Sequence, residues 1–193
     1  SARGGAGILC VGSGNCLCPG ITGTDIRGAG LFPVFLEKVG EKEFIEITGL
    51  NPSTIYSVNK LMWLKQNCQD LYGRAVMVFT FQDFLIHTLA GVRAIDFSMA
   101  SRTGLFDCNE NSWSDRLLET SGIREGLLSE PVRGGTVVGK ILPNEAFELG
   151  VSLVVINCIC LIFMQIHTDF YFDYIIYSGL LIFCCQNVAT PLL

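Results

Sequence analysis

The sequence predicts an α/β domain, helices layered on a covered sheet. Three observations between residues 55 and 107 carry that prediction. Apolar or aromatic residues recur every three to four positions at Ile55, Val58, Leu61, Met62, Cys68, Leu71 and Tyr72, the period of a helix. Residues 75–79 (AVMVF) are apolar throughout, as in a strand buried on both faces. Thr80 then caps a second helix with Asp83 three residues on, near a capping-box spacing. Phe81, Phe84, Leu85 and Leu89 give that helix its core face, and Gly91 stops it.

The other elements follow in order. Gly4, Gly5, Gly7, Gly12 and Gly14 make the opening Gly-rich, and Ile8 to Val11 suit a short buried strand. A phosphate loop needs a lysine and a following helix, and GSGNCLCPG offers neither, so it reads as strand plus turn. In GITGTDIRGAG, Asp25 and Arg27 form a charged pair in a turn. Phe35, Val39 and Ile47 face a core, while Glu37, Lys38, Glu41, Lys42 and Glu43 make a solvated helix face. Asn51, Pro52 and Ser53 precede the helix that begins at Ile55, with Pro52 suited to its first turn. On that helix Lys60 and Trp63 read as packing and surface, the Lys60 stem lying along the protein and its ammonium in water, with direct substrate contact the lesser alternative. His87, among Leu85, Ile86 and Leu89, reads as a satisfied structural histidine.

Residues 96–103 (DFSMASRT) form a polar loop with a carboxylate, hydroxyls, an arginine and small residues, which then runs into a second strand. Such a loop either contacts a ligand or shapes a cleft wall through its own hydrogen bonds. Ser114 caps DRLLETS, Gly122 ends it, and Leu117, Leu118, Ile123, Leu127 and Leu128 belong to the core. GTVVGKIL is a strand, and Pro143 opens a last helix.

Composition narrows the function classes. The 193 residues are half hydrophobic, enough for one domain with a core. Thirteen basic residues against eighteen acidic ones leave a net charge of −5, and no basic run points to nucleic acid. Nine cysteines without a paired C-x-x-C make no zinc site and read as reduced thiols in a cytoplasmic chain. The start, SARGGAGILC, has one arginine and no long apolar stretch and does not read as a convincing signal peptide. It carries no initiator Met, so the chain is expected to begin inside a longer reading frame.

Several motifs recur in order. Ser57, Lys60, Leu61, Trp63, Leu64, Gln66 and Asn67 (S-x-x-K-L-x-W-L-x-Q-N) resemble the first signature of the FGGY carbohydrate kinases. The segment AVMVFTFQDFLIHTLAGVRAIDFSMASRTGLFD and, further on, WSDRLLETSGI are similar to the same family. Ile55 departs from the signature, which prefers Met, Phe, Tyr, Gly or Ser there. The resemblance implies an actin-like ATPase, ribonuclease-H-like fold and ATP-dependent phosphorylation of a sugar or polyol. In that family the sugar sits at the base of a cleft between two domains, ATP and Mg²⁺ are held largely by the second domain, and an aspartate takes the proton from the sugar hydroxyl. By resemblance Asp25 and Arg27 match a "D-x-R" element lining the sugar cleft, and Asp96, Phe97 and Ser98 belong to a segment partly placed against the sugar. Glycerol kinases carry a tyrosine where this chain has Phe97, which disfavours glycerol.

The resemblance covers residues 20–150 and then stops. The "D-x-G" phosphate loop, the segment bearing the base and the nucleotide domain are not found, and neither Asp169 nor Asp173 has the glycine-rich context of the base. The expectation is therefore a partial sugar-side domain over residues 1–150, with no catalytic residue, no metal ligand and no strong binding of ATP or magnesium. Residues 151–193 form a hydrophobic tail. It reads as a transmembrane hairpin, as a natural buried extension, or as sequence foreign to the fold, the last being the expectation. Its two apolar runs are each shorter than the roughly 20 residues of a helical span, with Asn157 and Asp173 inside them, so a membrane is disfavoured. An inactive fragment is expected, with a non-catalytic sugar-binding or scaffold piece, or a protein anchored in a membrane through residues 151–186, as alternatives. Homo-oligomers are compatible with the intact family.

Overall fold

A computed structural model describes residues 9–11, 16–148 and 155–157, and gives the surroundings of side chains 16–145. The described order begins with strand β1 (Leu9–Val11) and helices α1 (Phe32–Val39), α2 (Glu41–Thr48), α3 (Ser57–Asn67) and α4 (Gln69–Arg74). Strand β2 (Met77–Phe79), helix α5 (Phe81–Ala90), strand β3 (Ala94–Asp96) and helix α6 (Phe97–Ser101) follow. Then come β4 (Phe106–Asp107), β5 (Ser112–Trp113), α7 (Asp115–Ser121), β6 (Glu130–Val132), β7 (Val137–Lys140), α8 (Pro143–Glu148) and β8 (Val155–Asn157).

The mixed helix and strand content agrees with the predicted class. The described strands do not form one continuous sheet, however, but four two-stranded pairs. β1 pairs antiparallel with β2, placing Cys10 opposite Val78. β3 pairs parallel with β6, placing Ile95 opposite Pro131. β4 and β5, and likewise β7 and β8, pair antiparallel.

The single charged helix face expected between Phe32 and Gly49 is two helices. Gly40 adopts φ 91°, a conformation that breaks the helix. Its N–H donates to the Leu36 carbonyl and its own carbonyl accepts from Phe44, so one glycine closes α1 and starts α2. Phe35 and Val39 are buried as expected, but Phe44 rather than Ile47 is the fully buried anchor of α2. Its ring meets Phe32 and Phe35 edge-on at 5.8 and 6.2 Å.

The helix expected from Ile55 starts two residues later. Tyr56 holds the extended conformation before it, and Pro52 lies outside the first turn. Cys68 (φ −132°, ψ 56°) then interrupts the helical run and separates α3 from α4. The apolar run 75–79 is not covered throughout either. Val78 and Phe79 are buried, but Val76 is 49% exposed and only residues 77–79 are strand. The expected caps Gly91, Ser114 and Gly122 are in place, the Ser114 hydroxyl accepting from the Leu117 amide. GTVVGKIL supplies β7 and Pro143 opens α8, as expected.

One apolar cluster joins α1, α2, α3 and α7 through Phe35, Phe44, Leu61, Leu64, Phe106 and Leu117. A smaller one gathers Ile86, Ala94 and Ile141 under α5. The tail beyond residue 150 lies outside the described residues except for β8, which pairs with β7. Among the described residues no helix is long and apolar enough to cross a membrane.

Phe44 tests this packing. Truncating a fully buried phenylalanine removes its transfer energy and leaves a cavity. Phe44→Ala is expected to cost roughly 3–5 kcal/mol in urea unfolding. A loss below about 1 kcal/mol contradicts the placement of α2.

Candidate functional site

The site is built around the first turns of α3. Before it, the chain makes two tight turns, with the Asp25 amide donating to the Thr22 carbonyl and the Ala29 amide to that of Ile26. Asp25 Oδ1 accepts from the Arg27 backbone amide at 2.9 Å. The Arg27 guanidinium faces the same carboxylate side-on, with Nε 3.0 and 2.9 Å from its two oxygens and Nη2 2.7 Å from Oδ2. This fork geometry is what arginine offers and lysine does not. The guanidinium lies 4.9 Å from the centre of the Trp63 ring on α3. The Arg27 side chain remains 46% exposed. The hydrogen bonds from Arg27 hold the Asp25 carboxyl below its ordinary range, and the same pairing raises Arg27.

Lys60 is where the structure departs most from expectation. Its ammonium is not in water; the residue is 1% exposed. Nζ donates to the carbonyls of Gly23 and Thr54 at 3.1 Å, Ile55 at 2.5 Å and Tyr56 at 3.3 Å. Three protons thus serve four acceptors. Burial pulls its pKa down to about 8, against the opposing pull of the Asp25 carboxylate.

The predicted loop 96–103 is the end of β3 followed by the short helix α6. Asp96 is its N-cap and is 1% exposed. Oδ1 accepts from the Met99 amide at 2.8 Å and Oδ2 from Gln82 Nε2 at 2.6 Å, while Gln82 Oε1 accepts from the Asp96 amide. The carboxylate is enclosed and acts here as a cap and a tie to α5. The half-buried Phe97 ring packs on Phe106 at 5.4 Å. Ser98 is exposed, and its carbonyl accepts from the Ser101 hydroxyl. Asp25 and Arg27 are therefore in direct contact, whereas Asp96 is enclosed and Phe97 half-buried against the core. Both segments nonetheless meet α3, because the Val58 amide donates to the Thr103 carbonyl just after α6.

The face of α5 also differs from expectation. Phe81 is 38% exposed, Phe84, Leu85 and Leu89 are only partly covered, and Gln82, Asp83 and Ile86 point inward. Thr80 caps the helix by position, but its hydroxyl donates to Asp83 Oδ1 at 2.6 Å rather than accepting from the backbone. The Ser129 hydroxyl donates to Asp83 Oδ2 at 2.6 Å. Burial raises the Asp83 carboxyl to about 6, with these two hydroxyls opposing the shift. Thr80, Asp83 and Ser129 help line an internal cavity of about 10 Å³, the room of one water. The half-buried His87 stacks on Phe79 at 5.0 Å, and its Nδ1 has no partner among the described residues.

Sequence reasoning missed the Gln82–Asp96 and Asp83–Ser129 ties. A polar pair QD just inside a helix start was the available signal. Among the described residues no three His, Cys, Asp or Glu side chains gather to hold a metal ion. Cys16, Cys18, Cys68 and Cys108 are free thiols.

Asp83 makes a pH prediction. Its folded pKa of about 6 exceeds the ordinary 3.8, so the folded chain holds more protons between those values. That contribution to stability is present at low pH and is lost as pH rises from about 4 to about 6. Asp83→Asn keeps partners for both hydroxyls and removes the titration. Urea unfolding at pH 4.5 and 7 is expected to show wild type losing on the order of 1–2 kcal/mol relative to the variant. Identical pH dependence in both proteins contradicts the burial of a titrating Asp83.

Comparisons with known proteins give the family and the fold. The family model described as the N-terminal domain of the FGGY family of carbohydrate kinases matches residues 2–163. The putative sugar kinase YoaC of Bacillus subtilis is 32% identical over 112 residues, 58% of this chain and 23% of its own. A glycerol kinase from Thermococcus onnurineus is 37% identical over 107 residues, 51% of this chain and 22% of its own. A ligand-bound xylulose kinase from Lactobacillus acidophilus, 20% identical, superposes with a TM-score of 0.73 over 80% of this chain and 32% of its own, a likeness of fold. The chain thus spans under a quarter of the length of these two curated relatives. It belongs, through its N-terminal domain, to the FGGY family of carbohydrate kinases.

Proposed function

We propose that these residues are the sugar-side part of a carbohydrate kinase, and that the complete protein transfers a phosphoryl group from ATP to a hydroxyl of a sugar or polyol. The observation that carries this reading is the Asp25–Arg27 pair lying partly exposed over Trp63. A sugar hydroxyl both donates and accepts, and a carboxylate beside a multi-donor cation answers both needs. The names of the relatives, a putative sugar kinase and a glycerol kinase, support the same class. In this reading Asp96 and Phe97 serve the fold of that segment, in which Ser98 and Arg102 are exposed. Phe97 brings no hydroxyl, and its ring packs on Phe106, so its side chain offers no hydrogen bond at that position.

The described residues do not fit a nucleotide with its magnesium ion. The buried carboxylates Asp83 and Asp96 are taken by Thr80, Ser129, Gln82 and the Met99 amide, and no acidic cluster stands open. No step through that group is derived from this chain. No described carboxylate is placed as the general base either. Asp25 is tied to Arg27 and its affinity for a proton is lowered, the wrong direction for a base. Binding and orienting the sugar is the role left to this part. The four cysteines among the described side chains are free thiols, in keeping with a reducing, cytoplasmic setting.

Two measurements test the reading. Calorimetry with D-xylulose, D-gluconate and glycerol is expected to detect binding of one of them, weakened at least about tenfold in Arg27→Ala, the loss of a charge-assisted hydrogen bond. A coupled assay for ADP is expected to show no turnover by these 193 residues alone. Absence of binding to all three, or turnover by this chain, overturns the reading.

A further inference from the structure

Lys60 is buried, yet no carboxylate among the described residues lies within ion-pair distance of it. Removing an ammonium from water costs several kcal/mol unless hydrogen bonds replace its hydration. A lysine that served only to pack a helix would send its ammonium out along the surface. Lys60 instead turns back past the start of α3 and takes main-chain carbonyls. Three belong to residues 54–56, which lead into the helix. The fourth belongs to Gly23, 37 positions earlier in the chain.

Gly23 lies in the turn closed by the Thr22 carbonyl and the Asp25 amide. The other end of the same segment lies close against α3. Gly28 lies so close to α3 that a Cβ there would fall 2.1 Å from the Asn59 carbonyl oxygen. Of adjacent residues on α3, Lys60 thus ties Gly23 and Asn59 lies against Gly28, with Asp25 and Arg27 between them. Trp63, the ring under Arg27, stands one helical turn further along from Lys60.

We propose that Lys60 is a positioning residue for the Asp25–Arg27 pair: its ammonium ties the Gly23 carbonyl to the entrance of α3 and so fixes the turn that sets Arg27 over Trp63. This role rests on reading that pair as the sugar-contacting element. The Asp25 carboxylate, the one titratable group acting on Lys60 from the turn, reinforces the tie by favouring the charged ammonium.

The test compares wild type, Lys60→Met and, as a control for general loss of stability, Leu117→Ala in the core of α7. Amide hydrogen exchange and calorimetry with D-xylulose, D-gluconate and glycerol are measured on each. In Lys60→Met, exchange over residues 22–28 is expected to rise at least tenfold relative to α7, and affinity for the bound sugar to fall at least tenfold. Exchange that is unchanged over residues 22–28, or that rises evenly across the chain as in Leu117→Ala, overturns the tie. Local loosening with unaltered affinity overturns the positioning role. Local loosening in a protein whose wild type binds none of the three compounds leaves the tie standing and overturns the sugar reading instead. If Lys60→Met does not fold, wild type alone decides. Nitrogen-15 lysine spectra at pH 6 are expected to show one ammonium protected from solvent exchange and correlated with the Gly23 carbonyl, and lysine signals that all exchange freely overturn the tie.

Discussion

A buried ammonium must find acceptors, and much of this fold is arranged around how Lys60 finds them. The first turn of α3 is a junction. Lys60 gathers the carbonyls of residues 54–56 and Gly23, and the Val58 amide, left without an intrahelical partner at a helix start, is satisfied by Thr103. Gly104, at φ 74°, packs so closely that a Cβ there would lie 3.1 Å from Tyr56 Cβ and 3.2 Å from Val58 Cγ1. Gly28 presses on Asn59 from the other side. A turn from early in the chain and the segment after α6 are thus brought to one helix end by main-chain groups and glycines. Side-chain apolarity alone would not place them there.

What the sequence revealed follows from how local each signal is. Ser114 and Gly122 bracket α7 because a cap and a left-handed glycine act within a few residues, and the structure places both accordingly. Gly40 carried an equally local signal, a glycine in a charged helical run, and explains why one expected helix is two. Lys60 and α5 were less legible because, beside local partners at residues 54–56 and Thr80, each depends on a distant one. The distant partners, Gly23 for Lys60, Asp96 for Gln82 and Ser129 for Asp83, lie 37, 14 and 46 positions away. Periodicity assigns the apolar side of a helix to the core, but the α5 face that turns inward is the one whose polar groups are hydrogen-bonded there. Phe81 is left outside as a result.

The candidate residues divide by the same logic. A carboxylate and an arginine two positions apart meet without help from the rest of the chain, and Asp25 and Arg27 do. Asp96 looked like a ligand group in a loop, but a carboxylate that begins a helix is drawn to the free amides there, and Gln82 takes its other oxygen. Isolated two-stranded pairs are marginal by themselves. Here β3 is buried against the core helices through Ile95, and β4 with β5 through Phe106 and Trp113. The family match runs through residue 163, and β8 at Val155–Asn157 joins β7.

The proposed meeting point of sugar and domain is the turn carrying Asp25 and Arg27, held over Trp63. Chemical-shift mapping of the nitrogen-15-labelled chain during titration with D-xylulose, D-gluconate or glycerol tests it most directly. The account predicts that the Trp63 indole signal and the amides of residues 25–28 move together along a saturable curve for one of the three. Saturable shifts confined to other residues, with these signals still, would contradict it.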